Sequence, residues 1–227
     1  MKTLIIVPAY NEAENIERVI NNLRDNFSCY DYVVINDGSR DETEKICREN
    51  GYNFVSHPVN LGLAGAFKTG MRYALDHDYD AAIQFDGDGQ HNAEYIEGML
   101  KLLNEGNNIV IGSRFVTEPK PRSLRMLGNN MIEGVIKLTT GKRLTDPTSG
   151  MRLFDRKMIK ILATATDLGP EPDTIAYLIR RGAKVCDMQV KMNERIAGES
   201  YLTLSRSIKY MAHMFVSIML LQWFRRT

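Results

Sequence analysis

The first half of the chain alternates two patterns, and that alternation limits its fold more than any other feature. Residues 3–7 form a continuous apolar run rich in β-branched side chains, as expected for a strand covered on both faces. Residues 12–27 follow, with Ile16, Val19, Ile20 and Leu23 at helical spacing. The same pair of patterns recurs. Strands are predicted at 32–35, 53–55, 81–85 and 109–111, and helices at 41–49, 61–75 and 95–103. Strand alternating with helix predicts an α/β fold, a doubly wound and mostly parallel sheet with helices on both faces. Such sheets bind ligands beyond the carboxyl ends of their strands. Polar or glycine-bearing turns stand at those ends, at 8–12, 36–39, 86–90 and 112–114.

The second half is less regular. Helices are predicted at 123–138, 156–163 and 172–181, a polar loop at 145–152 and a strand at 183–192. The tail, 205–224, reads as an amphipathic to apolar helix with one narrow polar stripe, Lys209, His213 and Ser217. A length of 227 residues suits one domain, or one domain with a small appendage. Its 44% hydrophobic and 25% charged content is that of a globular chain with a core. A net charge of +1 points to no nucleic-acid partner. Cys29, Cys47 and Cys186 are odd in number and widely spaced, so reduced thiols and a cytoplasmic setting are expected. The apolar run at 4–7 is too short for a secretory leader, and no run reaches the roughly 18 residues of a spanning helix.

Each motif admits a chemical and a plain reading. Asp86-Gly87-Asp88 follows a buried strand. Two close carboxylates repel unless a cation lies between them, and a divalent ion on a diphosphate is the natural occupant. The plain reading is a solvated turn. Asp37 can accept hydrogen bonds from a nucleobase, or shape a turn or cap a helix. Pro8, Tyr10 and Glu12 divide the same way: Tyr10 can stack on a base, while Glu12 can favour a helix start. Residues 61–65, with Gly62, can bind phosphate through backbone amides or merely allow close packing. Arg114 can hold a diphosphate or an acceptor phosphate, or form a surface ion pair. Lys120, Arg122, Arg125, Lys142 and Arg143 add a basic rim. After Glu199 the tail has no acid but carries Arg206, Lys209, Arg225 and Arg226 among Met, Phe, Leu and Trp side chains. That composition suits a membrane interface or a membrane-protein partner, and core packing is the alternative.

Taken together, these residues resemble the family 2 glycosyltransferases of the GT-A fold, especially the dolichyl-phosphate mannose synthase-like and bacterial polyprenyl-phosphate branch. The resemblance covers essentially the whole chain. It is carried by Ile6-Val7-Pro8-Ala9-Tyr10-Asn11-Glu12, Asn36-Asp37-Gly38-Ser39, Asn60-Leu61-Gly62, Asp86-Gly87-Asp88-Gly89-Gln90-His91 and Ile111-Gly112-Ser113-Arg114. Asp146-Pro147-Thr148-Ser149-Gly150-Met151-Arg152 and Asn193-Glu194-Arg195 with Gly198 and Ser200 extend it. The QxxRW motif of processive synthases is absent, and many polyprenyl-phosphate members continue into spanning helices.

The resemblance implies a GT-A domain over 1–200, with a nucleotide-sugar and metal half at 1–115 and an acceptor half at 116–200, then a basic apolar helix at 201–227. It implies Mg2+ or Mn2+ held by Asp86, Asp88 and Gln90. Pro8, Tyr10, Glu12, Asp37, Gly62, Asp86 and Arg114 would bind a UDP- or GDP-sugar, and Ser149 and Arg152 the acceptor. Arg195 and Arg114 would assist departure of the diphosphate. The implied reaction is inverting transfer to a polyprenyl phosphate at the inner face of a membrane, for cell-envelope glycans. A direct transfer to a hydroxyl of a lipid-linked or cell-wall glycan would instead need a base, from Asp146, Glu171 or Asp173. A non-catalytic nucleotide-sugar-binding module is the reading from another class. The tail's partner would be the membrane surface or a small membrane protein, and its apolar surface also suits a homo-oligomer.

Overall fold

Residues 1–193 and 204–220 are described in a computed structural model. In chain order its elements are β1 (Thr3–Ala9), α1 (Ile16–Asn26), β2 (Asp31–Asn36), α2 (Thr43–Glu49), β3 (Phe54–Ser56), α3 (Gly62–Asp76), β4 (Ala81–Gln84) and a 3-10 turn (Ala93–Tyr95). There follow α4 (Ile96–Asn104), β5 (Ile109–Ser113), α5 (Leu124–Thr140), β6 (Arg152–Asp155), α6 (Arg156–Thr164), α7 (Pro172–Arg180), β7 (Val185–Gln189) and α8 (Leu204–Met219).

Period-two alternation along β1 sends its side chains to two cores. Leu4 and Ile6 join a cluster with residues of α3, α5, α6, α7 and α8. Ile5 and Val7 join the other, with residues of α1, α2 and α4. Each aliphatic side chain buried this way contributes about 1.5–3 kcal/mol. Burial on both faces is why β1 and β2 read as unbroken apolar runs.

The strands form one sheet in the order β3-β2-β1-β4-β6-β5-β7. Neighbours pair in parallel except around β6, which runs antiparallel to β4 and to β5. The expected doubly wound, mostly parallel sheet is therefore present. β6 itself was not expected: the sequence shows a polar loop through 152 and then a helix. Four residues are too few to display a period, and what makes Arg152–Asp155 a strand is the slot between β4 and β5.

That reversal positions the site. Arg152 opens β6 opposite Gln84, the last residue of β4, and opposite Ile111 near the end of β5. The loop before β6 is thereby delivered to the carboxyl ends of the parallel strands. Gly112 donates its amide to the Met151 carbonyl there at 2.8 Å.

Candidate active site

Three strand ends meet around the β4 turn. A Cβ at Gly87 would lie 3.1 Å from the Pro8 carbonyl at the end of β1, and one at Gly150 would lie 2.7 Å from Asp86 Oδ2. Any side chain at 150 would sit on that carboxylate. The turn is held from within by His91, which was noted in the sequence without a role. Asp86 donates its amide to His91 Nδ1 at 2.9 Å, so that nitrogen is the acceptor and the proton lies on Nε2, 3.5 Å from Asp86 Oδ2. His91 is buried edge-on against Phe85. Gln90 donates its amide to Asp88 Oδ1 at 3.0 Å, closing the turn. The Asp86 side chain is 38% exposed, whereas Asp88 is buried.

This donor set fits a hard divalent cation. Two carboxylates and a glutamine amide offer oxygens, and Mg2+ commonly takes one or two carboxylates together with substrate phosphate. Among the described residues no group of three or more His, Cys, Asp or Glu converges, so the candidate set depends on Gln90 and on oxygens from the substrate.

The ends of β1 and β2 are stitched together. The Asn11 amide donates to Ser39 Oγ at 3.0 Å, and Arg40 returns its amide to Asn11 Oδ1 at 2.9 Å. Glu12 donates its amide to Thr43 Oγ1 at the start of α2, and accepts from Asn15 Nδ2 through Oε2. Tyr10 is half-buried beside this seam. Asp37 is buried and caps no helix. Its Oδ1 faces His57 Nδ1 at 2.7 Å and accepts the Leu61 amide at 2.8 Å. Gly62 opens α3 at φ +78°, a conformation that favours glycine.

Arg114 and Asp146, expected to act separately, form one fork-to-fork ion pair. Nε lies 2.7 Å from Oδ2 and Nη2 lies 3.0 Å from Oδ1. Asp146 is fully buried and also accepts from Asn129 Nδ2 at 2.9 Å, a residue of α5 that the motifs did not single out. Ser149 and Arg152, expected at the acceptor, are both buried. The Ser149 hydroxyl donates to the Gly112 carbonyl at 2.5 Å. The Arg152 guanidinium donates to the carbonyls of Ser149, Pro147 and Pro170, and so fastens the 145–152 loop to the start of α7. Burial pushes its pKa below the usual arginine value.

Glu171 precedes α7 with extended backbone and does not cap it, and Pro172 is the first helical residue. The Glu171 carboxylate instead accepts from the Tyr210 hydroxyl of α8. Asp173 is buried, accepts from Ser217 Oγ of α8 at 2.5 Å and accepts the Thr174 amide at 2.8 Å. Burial, and then the neighbouring Glu171, push the Tyr210 pKa upward, so it stays a donor. Both acids of this pair are thus tied to α8. Arg195 lies outside the described residues, as do residues 221–227.

A sequence model described as "Glycosyl transferase family 2" matches residues 4–162. "Uncharacterized protein MJ1222" of Methanocaldococcus jannaschii is 34% identical over 160 residues, 69% of this chain and 65% of that protein. The "UDP-N-acetylglucosamine--dolichyl-phosphate N-acetylglucosaminyltransferase" of Methanococcus voltae is 31% identical over 180 residues, 70% of this chain and 71% of that protein. In fold, the chain is similar to the structure of "Mannosyltransferase PcManGT from Pyrobaculum calidifontis in complex with GDP-Man and Mn2+", with a TM-score of 0.69 and 19% identity over 100% of this chain and 65% of that one. This chain therefore spans slightly less than two thirds of the first relative and of that mannosyltransferase. The likeness to the mannosyltransferase is one of fold, and the sheet is a GT-A sheet.

Proposed function

This chain belongs to glycosyl transferase family 2, and from that premise we propose that it moves a sugar from a nucleoside-diphosphate donor to a polyprenyl phosphate, with inversion. Relatives named for dolichyl-phosphate and undecaprenyl-phosphate transfer support the acceptor class. The observation that carries the choice of acceptor is the state of the three candidate bases. Asp146 has both oxygens engaged by Arg114, Asp173 has both engaged by Ser217 and Thr174, and Glu171 accepts from Tyr210. A sugar hydroxyl needs a base to take its proton, whereas a lipid phosphate, with a second pKa of about 6, arrives ionised.

In this reading Asp37 and Tyr10 hold the base, with Pro8 and Glu12 shaping the same seam. The amides around Gly62 face the donor, and Asp86, Asp88 and Gln90 hold Mg2+ or Mn2+. When bound, the ion supplies charge that neutralises the departing diphosphate. A phosphate oxygen of the acceptor forms the new bond to the anomeric carbon from the face opposite the leaving group. The old bond to the diphosphate breaks, and its electron pair leaves with the nucleoside diphosphate. Arg114, fixed in direction by Asp146, keeps positive charge beside the loop that would receive the acceptor, and Arg195 serves the diphosphate. Ser149 ties the acceptor loop to β5 through the Gly112 carbonyl, and Arg152 shapes the loop by bonding its backbone. Residues 1–115 form the donor half and 116–200 the acceptor half. The exposed apolar side chains of α5 and α8 rest on the membrane surface at its inner face.

The test is nucleoside diphosphate release by the purified chain, with UDP- and GDP-sugars, with and without Mg2+ or Mn2+ and a short polyprenyl phosphate. Release from one donor that requires both metal and lipid is expected. Metal-dependent release indifferent to the lipid would move the acceptor to a glycan hydroxyl. Donor binding with no transfer to any acceptor would favour a binding module.

A further inference from the structure

The end of β2 bears on which base the donor carries. Asp37 is 3% exposed, and both hydrogen bonds its carboxylate receives end on one oxygen, Oδ1: His57 Nδ1 at 2.7 Å and the Leu61 amide at 2.8 Å. A carboxylate oxygen offers two lone pairs, so Oδ1 is filled. Among the described residues no hydrogen bond ends on Oδ2. The arrangement is rigid. The His57 side chain is 9% exposed, and its Nε2 lies 2.8 Å from Thr69 Oγ1 on α3, so the ring is held at both nitrogens. Gly38, at φ +65°, lets the 57–61 segment press on the β2 turn, where a Cβ would lie 2.5 Å from the Val59 carbonyl carbon.

Nucleobases differ in what they ask of a carboxylate. Guanine presents two adjacent donors, N1–H and N2–H, and satisfying both takes both oxygens. Uracil presents one imide N–H between two carbonyls, and one oxygen satisfies it. We infer that Asp37, with one oxygen already committed to His57 and Leu61, selects a base with a single imide N–H, so that the donor is a UDP-sugar and His57 is the residue that sets the preference. The inference rests on the proposal that Asp37 faces the nucleobase. His57 acts only through Asp37 and is a positioning residue. Guanine in the same place would leave one N–H against a filled acceptor, and a buried unmet donor is penalised.

Calorimetric titration of the chain with UDP and with GDP, in the presence of Mn2+, tests this. UDP is expected to bind tighter than GDP by at least about tenfold. In His57→Ala, Oδ1 regains a lone pair and the ratio falls severalfold toward one. In His57→Asn the side-chain amide supplies an N–H where Nδ1 stood, and the ratio is kept. GDP binding as tightly as UDP in the unaltered chain overturns the choice of uracil and leaves the transferase reading standing. An unchanged ratio in a folded His57→Ala overturns the role of His57. Failure to bind either nucleotide overturns both this inference and the proposed function.

Discussion

Asp86 is the residue on which the chemistry should depend most and the fold least. Its carboxylate is 38% exposed and points to Gly150, whereas its backbone amide does the structural work by holding His91. Replacing Asp86 with Asn keeps that amide. Turnover is expected to fall by about 100-fold or more, while stability shifts by less than about 0.5 kcal/mol. Steady-state rates and a thermal melt on the same sample check both, and an active Asp86→Asn would remove the residue from the metal set. At this scale the sequence named candidate residues without showing which groups their side chains would meet. Arg152 and Ser149 were expected to touch the acceptor, yet their polar atoms are spent on backbone carbonyls. Arg114 and Asp146 stand 32 positions apart, and nothing local in either segment shows that they pair. His57 carries no motif of its own, and what distinguishes it is its place between Asp37 and Thr69 in the folded chain.

Among the elements, α3 shows how tightly the sheet is covered. Gly70 faces β1, and a Cβ there would come within 2.3 Å of Cγ2 of the fully buried Ile6. Helix propensity alone would make Gly70→Ala stabilising by about 1 kcal/mol. Ile6 is β-branched and enclosed, so the clash should win, with a net loss of about 1–3 kcal/mol. Chemical denaturation measures it, and a gain in stability would show that α3 can move off the sheet. The strands of the parallel core were legible because burial on both faces writes them as apolar runs. β6 was not, since its four residues follow a polar loop and owe their extended form to the edges of β4 and β5. That omission also hid how the 145–152 loop comes to lie beside the β4 turn. The tail helix was legible as a helix, but not its attachment: Tyr210 and Ser217 dock it on Glu171 and Asp173.

For the whole molecule, exposed large apolar side chains among the described residues gather at Val59, Leu61 and Leu63 around the start of α3 and on two helices that pack together, α5 and α8. On α5, Leu124 and Leu127 are 69% and 66% exposed, and on α8 Phe215 and Val216 are 41% and 43% exposed. The helices approach so closely that a Cβ at Gly128 would lie 2.7 Å from Met211. Among the described residues no helix is long and apolar enough to cross a membrane. The proposed membrane contact is made by these exposed side chains of α5 and α8. Leu127→Ser with Phe215→Ser should cut the fraction sedimenting with anionic vesicles by at least about tenfold, and leave the melting temperature within a few degrees because both side chains already face outward. Undiminished sedimentation would place the membrane contact elsewhere. In the proposed reaction the sugar ends on a lipid phosphate. The most direct test is mass spectrometry of the lipid recovered after incubating the chain with a UDP-sugar, Mn2+ and a short polyprenyl phosphate. The expected product is a lipid heavier by one sugar residue and joined through phosphate, so that its fragmentation releases the starting polyprenyl phosphate. Recovery of the lipid unchanged while the donor is consumed would contradict the proposed reaction.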